Sequence, residues 1–344
     1  LYACSFSFNL HIIKGTIYKY MKNDKTKIAC LDANTAVGNV GYAMSEVVCI
    51  YPITPSSPMA ERNDELVAAN ATNVFGNKVR VVEMQSEAGA AGALHGSLLA
   101  GALTTTYTAS QGLLLMIPNM YKVAGEMLPS VFHVSARTVA SHALNIFGDH
   151  SDVMATRQTG FCMLCSNNVQ EAQDMAFISH VAALKAQLPF LHFFDGFRTS
   201  HEINKITLLS TEEMKKMLPM KEIKAFKARA LDPTHPRQAG TAQNGDIFFQ
   251  NREAINPYYD ATYDVVKGVM ADFKKLTGRS YEPFEYYGHK QATSIIVIMG
   301  SGFDTCKLVV DALNKSGKKV GALAVHLYRP FNTKAFVEKL PSTV

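Results

Sequence analysis

From about Ile28 to Ile203, short apolar runs alternate with longer segments whose apolar residues recur at helical spacing. Strands covered on both faces read as unbroken apolar runs, so this alternation predicts an α/β fold on a doubly wound parallel sheet. "EVVCIYPI", "VRVVEMQ", "LTTTYTAS" and "SVFHVSA" are strands in this reading, leading to Thr54, Glu87, Gln111 and Arg137. "VQEAQDMAFISHVAALKAQ" reads as a helix opened by a capping box from Asn168 to Glu171, with Ala172, Met175, Ala176, Ser179, Ala182, Ala183 and Ala186 on one buried face. "TEEMKKMLPMKEIKAFKAR" is expected as a solvated helix pair. Between Leu231 and Tyr263, Pro233, Pro236, Gly240, Gly245 and Pro257 punctuate a long connection. A helix, "YDVVKGVMADFKKLTG", follows, and a new strand–helix–strand unit starts near Ser294.

In an open parallel sheet, ligands collect outside the carboxyl ends of the strands. Thr54, Glu87, Gln111 and Arg137 would therefore face one crevice and bring a hydroxyl, a carboxyl, an amide and a guanidinium together. Glu87 opens the run "EAGAAGALHGSLLAGA", whose small residues suit close approach of a backbone or a flat ligand. A poorly solvated carboxylate there is able to share a proton; a glutamate in a helix's first turn is also favoured by the helix dipole alone. Arg137 offers a fork of donors matched to a small carboxylate substrate, and a surface ion pair is its plain alternative.

Other residues invite chemistry and give it less support. Cys162 and Cys165 form a C-x-x-C pair within a strand, where residues three apart point to opposite faces and cannot chelate one metal. Asp195 and Arg198 end another strand and read as structural, as do His133 and His201. Gly300 and Gly302 suggest a nucleotide-binding turn, but the third glycine of that fingerprint is replaced by Thr305.

Composition removes several function classes. The 344 residues are 47% apolar and are enough for two domains. Lys14, Lys19, Lys22, Lys25 and Lys27 against Asp24 account for most of the net charge of +5, so no basic stripe is left for nucleic acid. No apolar run reaches the roughly 18 residues of a membrane span. Six dispersed cysteines fit a reducing compartment, and the expected location is the cytoplasm.

"YPITPSSPM", "EMQSEAGAAGALHG", "TASQGLLLMIPNMYK", "FHVSAR", "IFGDHSDV", "ATRQTGF" and "FFDGFRTSHEI" together resemble the amino-terminal part of pyruvate:ferredoxin (flavodoxin) oxidoreductases, from Met21 to the end of the chain. The resemblance implies a pyrimidine-type thiamine diphosphate-binding domain followed by the start of a second α/β domain like the carboxyl-terminal domain of transketolase. It implies that Glu87 contacts the cofactor's aminopyrimidine and that Thr54 and Arg137 bind pyruvate; Gln111 joins as a cofactor-side candidate. The implied reaction is oxidative decarboxylation of pyruvate with coenzyme A, with electrons passing through 4Fe-4S clusters to ferredoxin or flavodoxin in a homodimer. A hydrogenosome or related organelle is the alternative location in a eukaryote.

The corresponding boundaries are an extension at 1–20, a pyrimidine-binding domain at 21–230, an extended linker with a helix at 231–290 and a truncated second domain at 291–344. Gly148-Asp149 and Asn167-Asn168 faintly resemble the ends of a diphosphate motif, but the spacing is short and His150 replaces its second glycine. With no Gly-Asp-Gly and no ferredoxin-type cysteine cluster, the Mg2+ and cluster sites are expected elsewhere in a longer polypeptide, and this chain holds half an active site. The front end of a pyruvate:NADP oxidoreductase fusion and a noncatalytic truncated interaction module are the alternatives.

Overall fold

The computed structural model describes residues 28–344, so the expected extension at 1–20 and the start at Met21 lie outside the described residues. The chain runs β1 (Ile28–Leu31), α1 (Ala33–Met44), β2 (Val47–Ile50), α2 (Ser57–Ala68), β3 (Arg80–Glu83), α3 (Glu87–Leu99), β4 (Thr104–Thr108), α4 (Ser110–Gly125), β5 (Val131–Ala136), α5 (Ser151–Ala155), β6 (Cys162–Cys165), α6 (Val169–Ala186) and β7 (Phe190–Asp195). It continues through β8 (Asn204–Thr207), α7 (Thr211–Lys216), α8 (Met220–Ala228), α9 (Gly245–Glu253), α10 (Asn256–Thr277), β9 (Phe284–Gly288), β10 (Ser294–Ile298), α11 (Gly302–Lys315), β11 (Val320–Val325), β12 (Leu327–Arg329) and α12 (Thr333–Glu338).

The main sheet has the order β12-β6-β7-β5-β4-β2-β3, and every neighbouring pair except β12–β6 is parallel. β3 lies to one side of β2 and the chain then crosses back to β4 on the other, so the order reverses between β2 and β4. Loops leaving the two strands in opposite directions open a crevice at that point. Caps start the helices there: Asp32 accepts from Thr35 N at 2.7 Å and Ser86 from Gly89 N at 3.1 Å.

Alternate strand residues supply two cores. Cys162, Leu164, Phe190 and Phe194 pack with α1 and α6 on one face, while Met163, Cys165, Leu191 and Phe193 pack with α3 and α4 on the other. Cys162 and Cys165 thus lie on opposite sides of the sheet. The single buried face expected for α6 is a correction: nearly the whole helix is buried, because α1, α10 and the sheet enclose it. Its buried Asp174 pairs with Arg279, which donates from Nη2 to Oδ1 at 2.9 Å, and with the Tyr281 hydroxyl at 2.7 Å.

The stretch read as a linker contains α9, α10 and β9, and β9 joins β11 and β10 in a three-stranded sheet. β12 then leaves that unit to pair antiparallel with β6 at the edge of the main sheet. Polar contacts hold the two sheets together: Gly300 N donates to Asn167 Oδ1 at 3.1 Å, and Ser301 donates to Asp195 Oδ2 from N at 2.9 Å and from Oγ at 2.6 Å. Among the described residues no helix is long and apolar enough to cross a membrane.

Candidate active site

The ends of β2, β4 and β5 and the start of α3 bring the four predicted residues into one crevice. Arg137, the first residue after β5, is 7% exposed. Its Nη1 donates to Thr54 O at 2.7 Å and its Nη2 to Gln111 Oε1 at 3.3 Å. Gln111 is itself oriented by donating from Nε2 to Ala140 O at 2.9 Å. The third guanidinium donor, Nε, is buried without a partner. Burial pulls the Arg137 pKa down from its usual value, with the negative charges of Asp152 and Glu87 opposing. An arginine stays charged under such a shift, so the orphan donor suits an anion.

Glu87 is 6% exposed, and among the described residues no hydrogen bond reaches its carboxylate. Its neighbour across the crevice is Gly112 in the first turn of α4: a Cβ there would stand 2.6 Å from Glu87 Oε1 and 2.8 Å from Thr108 Oγ1. The Thr108 hydroxyl is likewise buried without a partner. The glycine run of α3 was expected to permit a close approach along the helix. Within this chain, Cβ atoms at Gly92 and Gly96 would meet nothing within 4 Å, so that part of the α3 surface borders open space. The close approach made inside the chain is at Gly112.

Thr54 is exposed, and Arg137 holds its backbone carbonyl, which leaves its hydroxyl outside that contact. Beneath it lies a polar bed: Asn34 Nδ2 donates to Pro55 O at 2.8 Å, Ser135 Oγ to Asn34 Oδ1 at 2.7 Å, and Ser56 Oγ to Thr108 O.

Sequence reasoning missed three residues here: Gly112, Thr108 and Asp152. Asp152 is 0% exposed and accepts the backbone N–H groups of Ser110 and Arg137 at 2.8 and 3.0 Å. The only sequence signal for it was a second acid after the first in "GDHSD", which spacing alone cannot assign.

The remaining candidates fall outside the crevice's chemistry. Asp195 binds His150 Nε2 at 2.6 Å as well as Ser301, so it joins the two sheets. Gly300 has φ +82 with the Asp195 carboxylate beside its Cα, which fills the turn that resembled a nucleotide site. Asn168 caps α6 by accepting from Glu171 N at 3.0 Å. Arg198 and His201 are exposed, and His201 stacks on Phe197 at 4.9 Å. His133 is not the lone core histidine it resembled. Its Nδ1 meets His192 Nδ1 at 3.0 Å and its Nε2 meets His180 Nε2 at 3.1 Å, and burial drives all three pKa values down, so these rings are neutral. Glu171, Glu285 and His326 are grouped closely enough to ligate an ion, but they lie between the two sheets, where His326 Nδ1 donates to Cys165 O at 2.9 Å.

Comparison with known families places this crevice in context. Residues 39–271 match the family model described as pyruvate flavodoxin/ferredoxin oxidoreductase, thiamine diphosphate-binding, and residues 292–343 match pyruvate:ferredoxin oxidoreductase core domain II. The chain is 60% identical over 314 residues to pyruvate:ferredoxin oxidoreductase of Moorella thermoacetica and 59% identical to the probable pyruvate-flavodoxin oxidoreductase of Escherichia coli, covering 91% of this chain and 27% of each relative. It is 57% identical to the mitochondrial pyruvate dehydrogenase [NADP(+)] of Euglena gracilis, covering 17% of that protein. The chain thus spans about a quarter of the bacterial relatives' length. A 2-oxoglutarate:ferredoxin oxidoreductase from Magnetococcus marinus shares the fold, with a TM-score of 0.70 at 19% identity over 92% of this chain and 57% of that one.

Proposed function

Because the chain belongs to the pyruvate flavodoxin/ferredoxin oxidoreductase family, we propose that it forms the pyrimidine-binding side of a thiamine diphosphate site in an enzyme that oxidatively decarboxylates pyruvate. One observation carries the reading. A buried arginine with one donor unpartnered and a nearly buried carboxylate with no hydrogen bond share the crevice at the reversal of strand order. Buried polar atoms such as Arg137 Nε are rarely left unpaired, and a guanidinium and a carboxylate so placed fit an anionic substrate and a cofactor.

The residues fit thiamine diphosphate. Glu87, with Gly112 beside its carboxylate, would accept from the aminopyrimidine ring and hold or return a proton there. Bound cofactor supplies the carbon nucleophile and the electron sink that the protein lacks. Arg137 would grip the oxoacid carboxylate through its guanidinium, and Thr54, exposed at the mouth, would offer its hydroxyl to the substrate. Gln111 would orient the guanidinium toward that carboxylate.

The rest of the activity belongs to a longer polypeptide. Mg2+, 4Fe-4S clusters, coenzyme A, transfer to ferredoxin or flavodoxin and homodimer formation are parts of this proposal, as are a cytoplasmic location and a division into a pyrimidine-binding domain at 21–230, a connection at 231–290 and a second domain at 291–344. The Euglena relative supports a second reading, in which the same front end passes electrons to an NADP-reducing tail.

The test uses the complete enzyme carrying this sequence. Arg137→Leu should raise KM for pyruvate by about 10- to 100-fold, the loss of a charge-assisted hydrogen bond, with a smaller effect on kcat. Glu87→Gln should slow proton exchange at the cofactor's reactive carbon by about 100-fold or more while the fold is retained. Full decarboxylation rates and an unchanged KM in both variants would remove the assignment.

A further inference from the structure

The two arms of the proposed carboxylate anchor sit on neighbouring strand ends, Gln111 after β4 and Arg137 after β5. Neither end is closed by its own residues. α4 has Ala109 at its N-cap with no side-chain hydrogen bond, and Ser110 has φ +48, a left-handed conformation that a residue with a Cβ adopts only where neighbours hold it. The missing partner comes from the far side of the 138–150 loop. Oδ2 of Asp152 accepts Ser110 N at 2.8 Å and Arg137 N at 3.0 Å, and its Oδ1 accepts Val153 N at 2.7 Å. One carboxylate oxygen therefore ties together the backbones that carry both arms.

Burying a charge completely is costly, and a fold that does so only to cap a helix could use an uncharged serine or asparagine next to it. Here the charge also lies near the guanidinium whose partner it positions. We propose that Asp152 is a positioning residue for the substrate site: it fixes the separation and direction of Gln111 and Arg137, and so sets the affinity for the oxoacid carboxylate without touching it. This rests on the assignment of Arg137 as that carboxylate's anchor.

Burial lifts the Asp152 carboxyl to about 6 against the opposing pull of three backbone N–H groups and the charge of His150. His150 faces it from the preceding loop and Arg137 from just after β5, and His150 is itself bound to Asp195. As pH falls through about 6, protonation removes an acceptor from the pair of N–H groups, and pyruvate affinity falls with it.

The experiment compares the complete enzyme with its Asp152→Asn, Asp152→Glu and Arg137→Leu variants across pH. Asp152→Asn keeps the volume and one acceptor, and should raise KM for pyruvate by roughly tenfold with kcat within about twofold, because hydrogen bonds to a charged group are lost. Its acid limb in kcat/KM near pH 6 should vanish, and amide exchange at Ser110 and Arg137 should speed up by at least about tenfold. Asp152→Glu keeps the charge but moves it by one methylene, so KM rises and an acid limb remains. It serves as the decisive variant should Asp152→Asn not fold. If Arg137→Leu raises KM while the Asp152 variants keep wild-type KM, acid limb and exchange, Asp152 does not position the anchor. If Arg137→Leu itself leaves KM unchanged, the anchor assignment fails and this inference with it.

Discussion

Gly112→Ala is the sharpest test of how Glu87 is placed. The added methyl would stand 2.6 Å from Glu87 Oε1 and 2.7 Å from its Cγ, against ordinary contacts of 3.4 Å or more. The glutamate must therefore retreat by about 0.8 Å. Because Cγ is blocked as well as the oxygen, rotation of the carboxylate alone does not relieve the overlap. The side chain has to leave its rotamer, at about 0.5–1.5 kcal/mol. The Thr108 hydroxyl, 2.8 Å from the added methyl, must give way as well, at a similar cost. Alanine is favoured over glycine in a helix by up to about 1 kcal/mol, which offsets part of this, so the net loss should be no more than about 2 kcal/mol. Function has no such compensation, since misplacement of a reacting group by about 1 Å costs on the order of 100-fold.

The assay is exchange of the cofactor's reactive-carbon proton in the complete enzyme, read beside thermal unfolding. Gly92→Ala is the control, because a Cβ there meets nothing within 4 Å. A folded Gly112→Ala enzyme with wild-type exchange, or a crystal structure showing its Glu87 carboxylate unmoved, would refute the reasoning.

Two further outcomes follow from the joints of the fold. Arg279→Ala strips the charged partner from Asp174, whose side chain is 0% exposed but keeps donors from Tyr281 and Gln173, and should destabilise the protein by about 1.5–3 kcal/mol in urea unfolding. The His150–Asp195 contact should make stability depend on pH from both sides. Burial alone would lower the His150 pKa, but Asp195 holds it above its usual value, so its contribution is full below about pH 6.5 and is lost as pH rises through the raised value. Burial alone would raise Asp195, but His150 and Ser301 hold it below the usual carboxylate range, so its contribution is present above about pH 4 and is lost as pH falls through the lowered value. Melting curves of His150→Gln across pH should lack the alkaline loss; an unchanged pH profile would show that the pair contributes nothing.

The parallel sheet was legible because both of its faces are covered: β5 and β7 read as mostly apolar runs, and Asn168 marks the start of α6 by a local hydrogen bond. What depended on distant pairing was not legible. β12 returns to β6 across nearly half the chain, and its residues carry no sign of which sheet they join. The glycines show the same limit. Gly92 and Gly96 look like contact points and face open space, while Gly112 sits in an ordinary "SQGLLL" run and decides where Glu87 lies. A glycine's role is set by what stands opposite it, and that is a property of the fold.

The same distinction explains why the site's charges remain usable. Glu87 and Arg137 are close enough to influence each other electrostatically, yet no ion pair or hydrogen bond joins them. A buried ion pair would satisfy both groups and leave neither for a ligand. Thr54 O and Gln111 Oε1 occupy the guanidinium's two terminal nitrogens, and Asp152 holds the backbone from which it extends. Neutral acceptors thereby restrain the cation without cancelling its charge, and the carboxylate faces a glycine that offers it no donor. An acid and a cation kept apart in one crevice cost stability in the isolated fold; under the proposed assignment, that cost would be recovered when a proton-sharing ring and an anion bind there.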